Sequence, residues 1–193
     1  MMREKFLLLF LFLGGVFLFA VLDMRSVKRH NFANKADQAI PFISWFVIPY
    51  IALFPFVAFT TFSLFSTPYV VEYFLSMAIA MYTAVVMWWL VPAGTERPHL
   101  KGDRQLERLV MWIYKNDKRR NAFPSSHVFT SLISAWYLSL QYPHLMPAWI
   151  IIASFIAIST LFMKQHYVID VVVGVFWVAS SIFLAQSFLA LIS

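Results

Sequence analysis

Long apolar runs dominate this chain and limit the folds that it can adopt. Hydrophobic residues make up 61% of its 193 residues and charged residues only 12%, whereas soluble domains carry roughly 25% charged residues. A run of about 20 apolar residues can cross the hydrocarbon core of a bilayer as one helix. The composition therefore predicts an all-α integral membrane protein, a polytopic helix bundle that forms a single domain over residues 1–193.

Six apolar runs are predicted to span the membrane. They cover residues 6–22, 40–65, 69–91, 125–141, 148–163 and 166–192. The first run could pass for a signal peptide, but it lacks a convincing small-residue cleavage site, so we expect a retained helix. The second run contains Pro49 and Pro55 and should be kinked or partly interfacial. An even number of crossings puts both chain ends on one side of the membrane.

Two loops carry most of the charge, one between runs one and two and a larger one between runs three and four. With six crossings, both loops lie on the same side as the turn before the sixth run. In the larger loop, apolar residues recur at helical spacing among Arg and Lys: Leu106, Leu109, Val110 and Ile113. This pattern predicts an amphipathic helix that lies on the headgroups or covers the bundle, and the two interpretations are compatible.

The candidate catalytic residues lie at the ends of apolar runs. His166 and Asp170 are four residues apart, so on a helix they share one face, and the carboxylate can fix the tautomer of the imidazole. His127 follows Pro124-Ser125-Ser126, a predicted helix start in which Ser125 caps the helix and free backbone N–H groups bind anions. Ionisable residues within membrane spans are functional by default. The set indicates phosphoryl transfer at a membrane.

The same residues resemble the motifs of the type 2 phosphatidic acid phosphatase superfamily. Its members include lipid phosphatases, lipid phosphotransferases such as sphingomyelin and inositol phosphorylceramide synthases, and vanadium haloperoxidases. The family motifs are Lys, six residues, then Arg-Pro; Pro-Ser-Gly-His; and Ser-Arg, five residues, His, three residues, Asp. Matching residues stand in the same order: Arg97-Pro98, Pro124-Ser125-Ser126-His127 with Ser126 at the glycine position, and Ser159, His166 and Asp170.

The resemblance implies a two-step displacement at phosphorus. His166, oriented by Asp170, would attack the phosphate and form a phosphohistidine, while His127 protonates the leaving alcohol and then activates water or an acceptor hydroxyl. Arg97, Ser125 and the N–H groups at Ser126 would hold the phosphate oxygens. The sequence offers no carboxylate cluster or histidine-rich set for a divalent ion, so we expect neither a metal nor another cofactor.

Two family cations are missing from this chain. Leu90 stands at the position of the first-motif Lys and Thr160 at that of the third-motif Arg, so the phosphate pocket must differ from the family pattern. Lys164, two residues before His166, is the predicted replacement, and Lys101 or Arg104 could supply the charge from the large loop.

Three functions remain open on this sequence. The first is a lipid phosphate phosphatase that acts on a phosphatidic-acid-like or polyprenyl phosphate lipid. The second is a lipid headgroup phosphotransferase, which the His-Tyr-x-x-Asp-Val run at residues 166–171 favours. The third is a non-catalytic membrane protein in which the changes at Leu90 and Thr160 have disabled the phosphate pocket.

The expected partners are a membrane lipid with a phosphate headgroup and the bilayer itself, and we expect no nucleic acid. All but two of the 15 Lys and Arg lie on the side of the candidate site, which by the positive-inside rule would be cytoplasmic. Family members usually face outward or toward a lumen, and basic residues can also serve anionic headgroups. We therefore expect a cell (inner) membrane location with the site on the extracytoplasmic face.

Overall fold

The computed structural model of the protein describes residues 2–24 and 28–192. Within these ranges the chain forms nine α-helices and no β-strand. The helices are α1 (Met2–Asp23), α2 (Lys35–Ala39), α3 (Val47–Ile51), α4 (Leu53–Leu64), α5 (Val70–Leu90), α6 (Gln105–Asn116), α7 (Ser126–Gln141), α8 (Met146–Phe162) and α9 (Val168–Ile192). The prediction of an all-helical protein is confirmed.

Five helical segments in the described part of the chain are long and apolar enough to cross a membrane: Glu4–Asp23, Ser44–Leu64, Val70–Leu90, Pro143–Phe162 and Val168–Ile192. The chain is therefore an integral membrane protein. The fourth predicted span corresponds to α7, which has only 16 residues and is about 24 Å long at 1.5 Å per residue. That length falls short of a hydrocarbon core of about 30 Å, so the predicted count of six spans stays a prediction.

The second apolar run is interrupted at Ala52, although the backbone of that residue stays in the right-handed helical region. A short 3₁₀ turn at Ser44–Phe46 leads into α3, and the chain turns at Ala52 before α4 begins. Pro55 has no N–H group to bond the carbonyl one helical turn earlier, so the regular ladder cannot continue there. The break separates α3, at the level of the candidate site, from α4, which descends along the bundle.

Helix α7 lies at the centre of the bundle. It packs against α4, α5, α8 and α9, while α1 packs on α5. Its side chains Val128, Phe129, Ile133 and Leu138 are fully buried. This central position explains how a helix shorter than its neighbours is retained among them, because its apolar surface meets protein along most of its length.

The large loop contains the predicted amphipathic helix, now α6. Its residues Val110 and Ile113 are buried in a cluster with Val47, Tyr50 and Met163, so its apolar face covers the bundle at the α3–α8 end. The opposite side of α6 carries charged residues. Contact with headgroups remains a prediction.

Three loop segments meet at this end of the bundle. The His30 N–H donates to the Pro92 carbonyl at 2.7 Å, and the Ala122 N–H donates to the Ala93 carbonyl at 3.1 Å. Gly94 lies between them, where an added Cβ would stand 2.0 Å from the Arg119 carbonyl oxygen, so only glycine fits. The pairing fixes residues 119–122, which lead into α7, against residues 93–94.

Candidate active site

His166 lies in the turn between α8 and α9, not on helix α9 as its spacing from Asp170 led us to expect, because α9 begins at Val168. The turn still brings the two side chains together, with Nδ1 3.5 Å from Asp170 Oδ2. Nδ1 is also 2.8 Å from the carbonyl oxygen of Ala122. A carbonyl only accepts, so Nδ1 carries the proton and Nε2 keeps its lone pair. The imidazole is thus held in the tautomer that a nucleophile needs.

Asp170 ties this turn to the neighbouring helices. Its Oδ2 accepts a hydrogen bond from the Tyr167 N–H at 2.8 Å, which stabilises the first turn of α9. Its backbone carbonyl accepts from the Ser125 N–H at 3.2 Å and so fixes the start of α7. Close approach of the two helices depends on Gly174, since an added Cβ would lie 2.9 Å from Val128 Cβ.

His127 occupies the first turn of α7 and is buried. Its ring stacks on Tyr50 with centroids 4.1 Å apart, and its centroid is 6.3 Å from that of His166. Neither ring nitrogen has a hydrogen-bond partner among the described residues. Two imidazoles therefore face each other across a gap, one of them with both nitrogens available.

Ser125 is the N-cap residue of α7, but its side chain makes no capping hydrogen bond, which corrects the expectation of a hydroxyl cap. Its Oγ is buried and without a partner among the described residues. Ser126, one residue on, is half-buried. The first N–H groups of a helix have no partner within the helix, so this helix start presents a hydroxyl and backbone donors together.

Arg97 lies behind these residues. Its side chain is buried, its Nη2 binds Asp117 Oδ2 at 2.5 Å and also donates to Gln165 Oε1. Its Nη1 donates to the carbonyl groups of Tyr114 and Asp117, and the guanidinium lies over the Tyr114 ring. Arg97 thus anchors Asp117 and Gln165 rather than facing open space.

Lys164 points elsewhere. Its ammonium donates to the carbonyl groups of Asp37 and Ile40 at the end of α2, and its backbone has a φ of 51°. The chain reverses here in a left-handed conformation that sends the side chain away from His166. The structure does not bring Lys164 together with the two histidines.

The family positions that lack a cation also face away. Leu90 is 57% exposed at the end of α5, and Thr160 is fully buried with its hydroxyl bonded to the Ala157 carbonyl. Ser159, the match to the third-motif serine, likewise bonds within α8 to Ile156. Neither hydroxyl is available to a ligand.

A small polar cavity of about 40 Å³ lies between the histidines. It is lined by Phe19, Tyr50, Asp117, Arg119, Asn121, Ala122, Ser126, His127, Gln165 and His166. Arg119, Asn121 and Asp117 were not predicted as site residues. Nothing in the sequence of a highly charged loop distinguishes the side chains that border the cavity from those that face outward. The position of these three residues shortly before Pro124 was the only signal available.

A larger apolar groove of about 1010 Å³ adjoins this cavity. Its walls are α1, with Phe12 and Val16, and α4, with Val57 and Phe62. At the end nearest the histidines the groove reaches Ser126 and His127, and both residues also line the polar cavity. The two spaces therefore meet at the start of α7.

One tyrosine at this end of the bundle has a shifted pKa. Burial raises the pKa of Tyr167, whose hydroxyl accepts a hydrogen bond from the Glu96 N–H at 3.0 Å. The described residues hold no group of three or more His, Cys, Asp or Glu placed to bind a metal ion. The chemistry on offer is that of imidazole, carboxylate and hydrogen-bond donors.

The chain matches the sequence model of one protein family. The sequence model of the PAP2 superfamily matches residues 69–190, a segment that includes Arg97, both histidines and Asp170. No curated protein and no solved structure matches the chain significantly. Because the family match covers more than half of the chain, the protein belongs to the PAP2 superfamily, the type 2 phosphatidic acid phosphatases and their relatives.

Proposed function

We propose that the protein is a membrane-embedded lipid phosphate phosphatase. It cleaves the phosphomonoester or pyrophosphate of a phosphatidic-acid-like or polyprenyl phosphate lipid. Members of its superfamily are phosphatases and phosphotransferases of lipid-like substrates. The observation that carries the proposal is the junction at Ser126 and His127, which border both the polar cavity and the apolar groove. A phosphate in the cavity thereby leaves its apolar tail in the groove.

The unpaired polar atoms around the cavity support an anionic ligand. Seven buried atoms at or beside it have no partner among the described residues: Arg97 Nε, Asn121 Oδ1, Ser125 Oγ, His127 Nδ1 and Nε2, Gln165 Nε2 and Asp170 Oδ1. Buried polar groups in proteins are nearly always paired, so a cluster of exceptions calls for a ligand. Ser125 Oγ, Gln165 Nε2 and the ring nitrogens of His127 can donate hydrogen bonds, and the first N–H groups of α7 add more. A phosphate would accept from these donors, whereas Asn121 Oδ1 and Asp170 Oδ1 are acceptors that an anion does not satisfy.

In the proposed reaction, His166 Nε2 attacks phosphorus, and a P–N bond forms as the bond to the leaving oxygen breaks. The leaving oxygen takes a proton from His127. Water then gives a proton to His127 and attacks phosphorus, which breaks the P–N bond and releases phosphate. The Ala122 carbonyl and Asp170 hold the Nδ1 proton of His166 and stabilise its positive charge during both steps.

The membrane arrangement follows from this site. We propose six crossings in a single domain, with α7 as the short fourth span, because the start of α7, the end of α5 and the start of α9 meet at one end of the bundle. Helix α6 lies at the headgroup level, and the site faces the extracytoplasmic side of the cell (inner) membrane. A reporter fused to the C-terminus should then be cytoplasmic, and an external reporter would contradict the orientation.

The decisive experiment is phosphate release by the purified protein from a panel of lipid phosphates, with a His166→Ala variant beside it. We expect release that falls by about 10³-fold or more in the variant, since a lost nucleophile removes the covalent route. His144→Ala is the matched control, because His144 is exposed at the other end of α7. Release should persist in excess EDTA, and complete loss there would contradict metal independence.

Other outcomes of that panel point to other functions. Headgroup transfer to a hydroxyl acceptor without phosphate release would identify a phosphotransferase. A folded protein that does neither, on any donor of the panel, would argue for a non-catalytic role and against the proposal.

A further inference from the structure

The cavity lacks the two cations that the family motifs would supply, since Leu90 and Thr160 occupy their positions and neither side chain faces it. A phosphomonoester carries close to two negative charges at neutral pH. Stabilising such a group, and the further charge that develops during transfer, requires cationic or strongly donating neighbours. Another residue must therefore provide the charge.

Arg119 borders the cavity together with both histidines. It is half-buried, and its guanidinium donates no hydrogen bond within the described part of the chain. Burial and the nearby guanidinium groups of Arg97 and Arg29 lower the pKa of Arg119. An anion placed beside Arg119 would offset this repulsion and supply the missing acceptors.

The backbone holds Arg119 in an unusual conformation that directs its side chain. Its φ is 61°, a value that non-glycine residues adopt at some energetic cost. The Arg119 N–H donates to Asp117 Oδ1 at 2.7 Å, and its carbonyl packs against Gly94. Two fixed contacts thus impose the conformation at a position where glycine would be the less strained residue.

Three other cations at this end of the bundle are already bound to protein atoms, whereas Arg29 is exposed and does not line the cavity. Arg97 is held by Asp117 and Gln165, and Arg120 donates from Nη1 to the Asp23 carbonyl at 2.9 Å. Lys164 binds carbonyl groups at the end of α2. The two loop cations that the sequence offered as replacements, Lys101 and Arg104, are exposed and do not line the cavity.

We propose that Arg119 binds the substrate phosphate and replaces the two family cations missing at Leu90 and Thr160. This inference rests on the proposed function. It assigns to Arg119 the positive charge that the proposed site needs in order to bind a phosphomonoester. The guanidinium contacts the phosphate oxygens directly, whereas Arg97 acts from behind through Gln165. Loss of Arg119 should weaken binding of monoester phosphate more than that of a diester, which carries one charge less.

The test compares three single variants of the full-length protein: Arg119→Gln, Arg119→Lys and Lys118→Gln. Lys118 is the matched control because it is adjacent, exposed and of the same charge. Inorganic phosphate is the probe, measured both by calorimetric binding and as a competitive inhibitor. We expect Arg119→Gln to weaken phosphate binding by about 10-fold or more, equivalent to about 1.4 kcal/mol. Arg119→Lys should restore part of it, and Lys118→Gln should stay within about twofold of wild type.

A fourth variant, Arg119→Gly, separates binding from folding. Glycine suits a φ of 61°, so this variant should unfold at a temperature no lower than wild type. It should nevertheless bind phosphate as weakly as Arg119→Gln does. Weak binding in a variant of undiminished stability would rule out a merely structural role.

The outcomes distinguish this inference from the function on which it rests. Wild-type phosphatase activity combined with unchanged phosphate binding in Arg119→Gln and Arg119→Gly would overturn the role of Arg119 and leave the proposed function standing. Arg119-dependent phosphate binding in a wild-type protein that releases no phosphate from any lipid would support the anion site and overturn the phosphatase.

Discussion

Two polar clusters lie within this bundle, one at each end, and they differ in how far their hydrogen bonds are satisfied. At the end opposite the histidines, Glu72 Oε1 accepts from the Tyr137 hydroxyl at 3.0 Å and from Gln186 Nε2 at 2.6 Å. Ser76 bonds the same Tyr137 hydroxyl at 2.9 Å. Here the side chains satisfy one another, whereas around the cavity seven buried atoms have no partner among the described residues.

We propose that this difference separates a structural cluster from a ligand-binding site. Both clusters include residues of α7 and α9 and both contain a carboxylate, so the presence of a charge does not tell them apart. A saturated cluster holds helices together in an environment where unpaired polar groups are costly. An unsaturated cluster keeps that cost unless a ligand pairs with its polar atoms.

The largest expected contrast is between the two carboxylates, each changed to its amide. Asp170→Asn should lower the rate of phosphate release by about 10²-fold to 10⁴-fold, because the amide can impose the wrong imidazole tautomer and cannot stabilise the imidazolium. Glu72→Gln should leave the rate nearly unchanged and lower the free energy of unfolding by about 1–3 kcal/mol. Turnover and thermal unfolding of both variants provide the comparison. Equal losses of activity would show that the two clusters do not differ in function.

A smaller effect is expected in the apolar groove. Ala58 lines the groove, so Ala58→Trp should fill part of its space. We expect kcat/KM for a long-chain lipid phosphate to fall by about 10-fold, because the apolar tail loses several contacts. A water-soluble short-chain phosphate should be hydrolysed as before. Ala179→Trp is the control, since Ala179 is exposed on α9 outside the groove. A loss that is the same for both substrates would contradict a tail-binding role.

The smallest expected contrast is between one buried serine of each cluster, Ser125 and Ser76. Ser125→Ala should raise KM for the lipid phosphate by about 5-fold to 10-fold, the loss of one hydrogen bond to a charged group, with no loss of stability because its hydroxyl has no protein partner. Ser76→Ala should leave KM unchanged and lower the free energy of unfolding by about 1 kcal/mol. Steady-state kinetics and denaturation curves measure both. A stability loss in Ser125→Ala alone would reverse the assignment.

The sequence sufficed for features that depend on local pattern. Apolar runs located the helices, Pro55 located the break before α4, and the motif spacing identified a family that the residue 69–190 match confirms. The pairing of His166 with Asp170 was also predicted, although the backbone that produces it is a turn. Periodicity and spacing report on neighbours within a few residues, and these features require nothing more.

Features that depend on contacts between distant segments could not be predicted from the sequence. The Ala122 carbonyl that sets the His166 tautomer lies 44 residues away, and Arg119 faces the cavity because Gly94 packs against its backbone. Lys164 was assigned to the phosphate, but its ammonium serves the carbonyl groups that end α2. Helix α2 itself is short and held by Asn34 and Asp37, with too few residues for a periodic signal. Loop-to-loop contacts of this kind have no local signature.

The gap between α1 and α4 has a consequence for how the reaction is measured. Exposed apolar side chains such as Phe54, Phe59 and Phe62 stand along it, so the groove communicates with the lipid phase rather than with water. For a substrate that arrives by lateral diffusion, the relevant concentration is its mole per cent in the leaflet and not its moles per litre of solution. In the proposed reaction the dephosphorylated lipid would stay in the bilayer while phosphate leaves into the aqueous phase. Diluting the substrate with inert lipid or detergent at constant bulk concentration should therefore slow turnover.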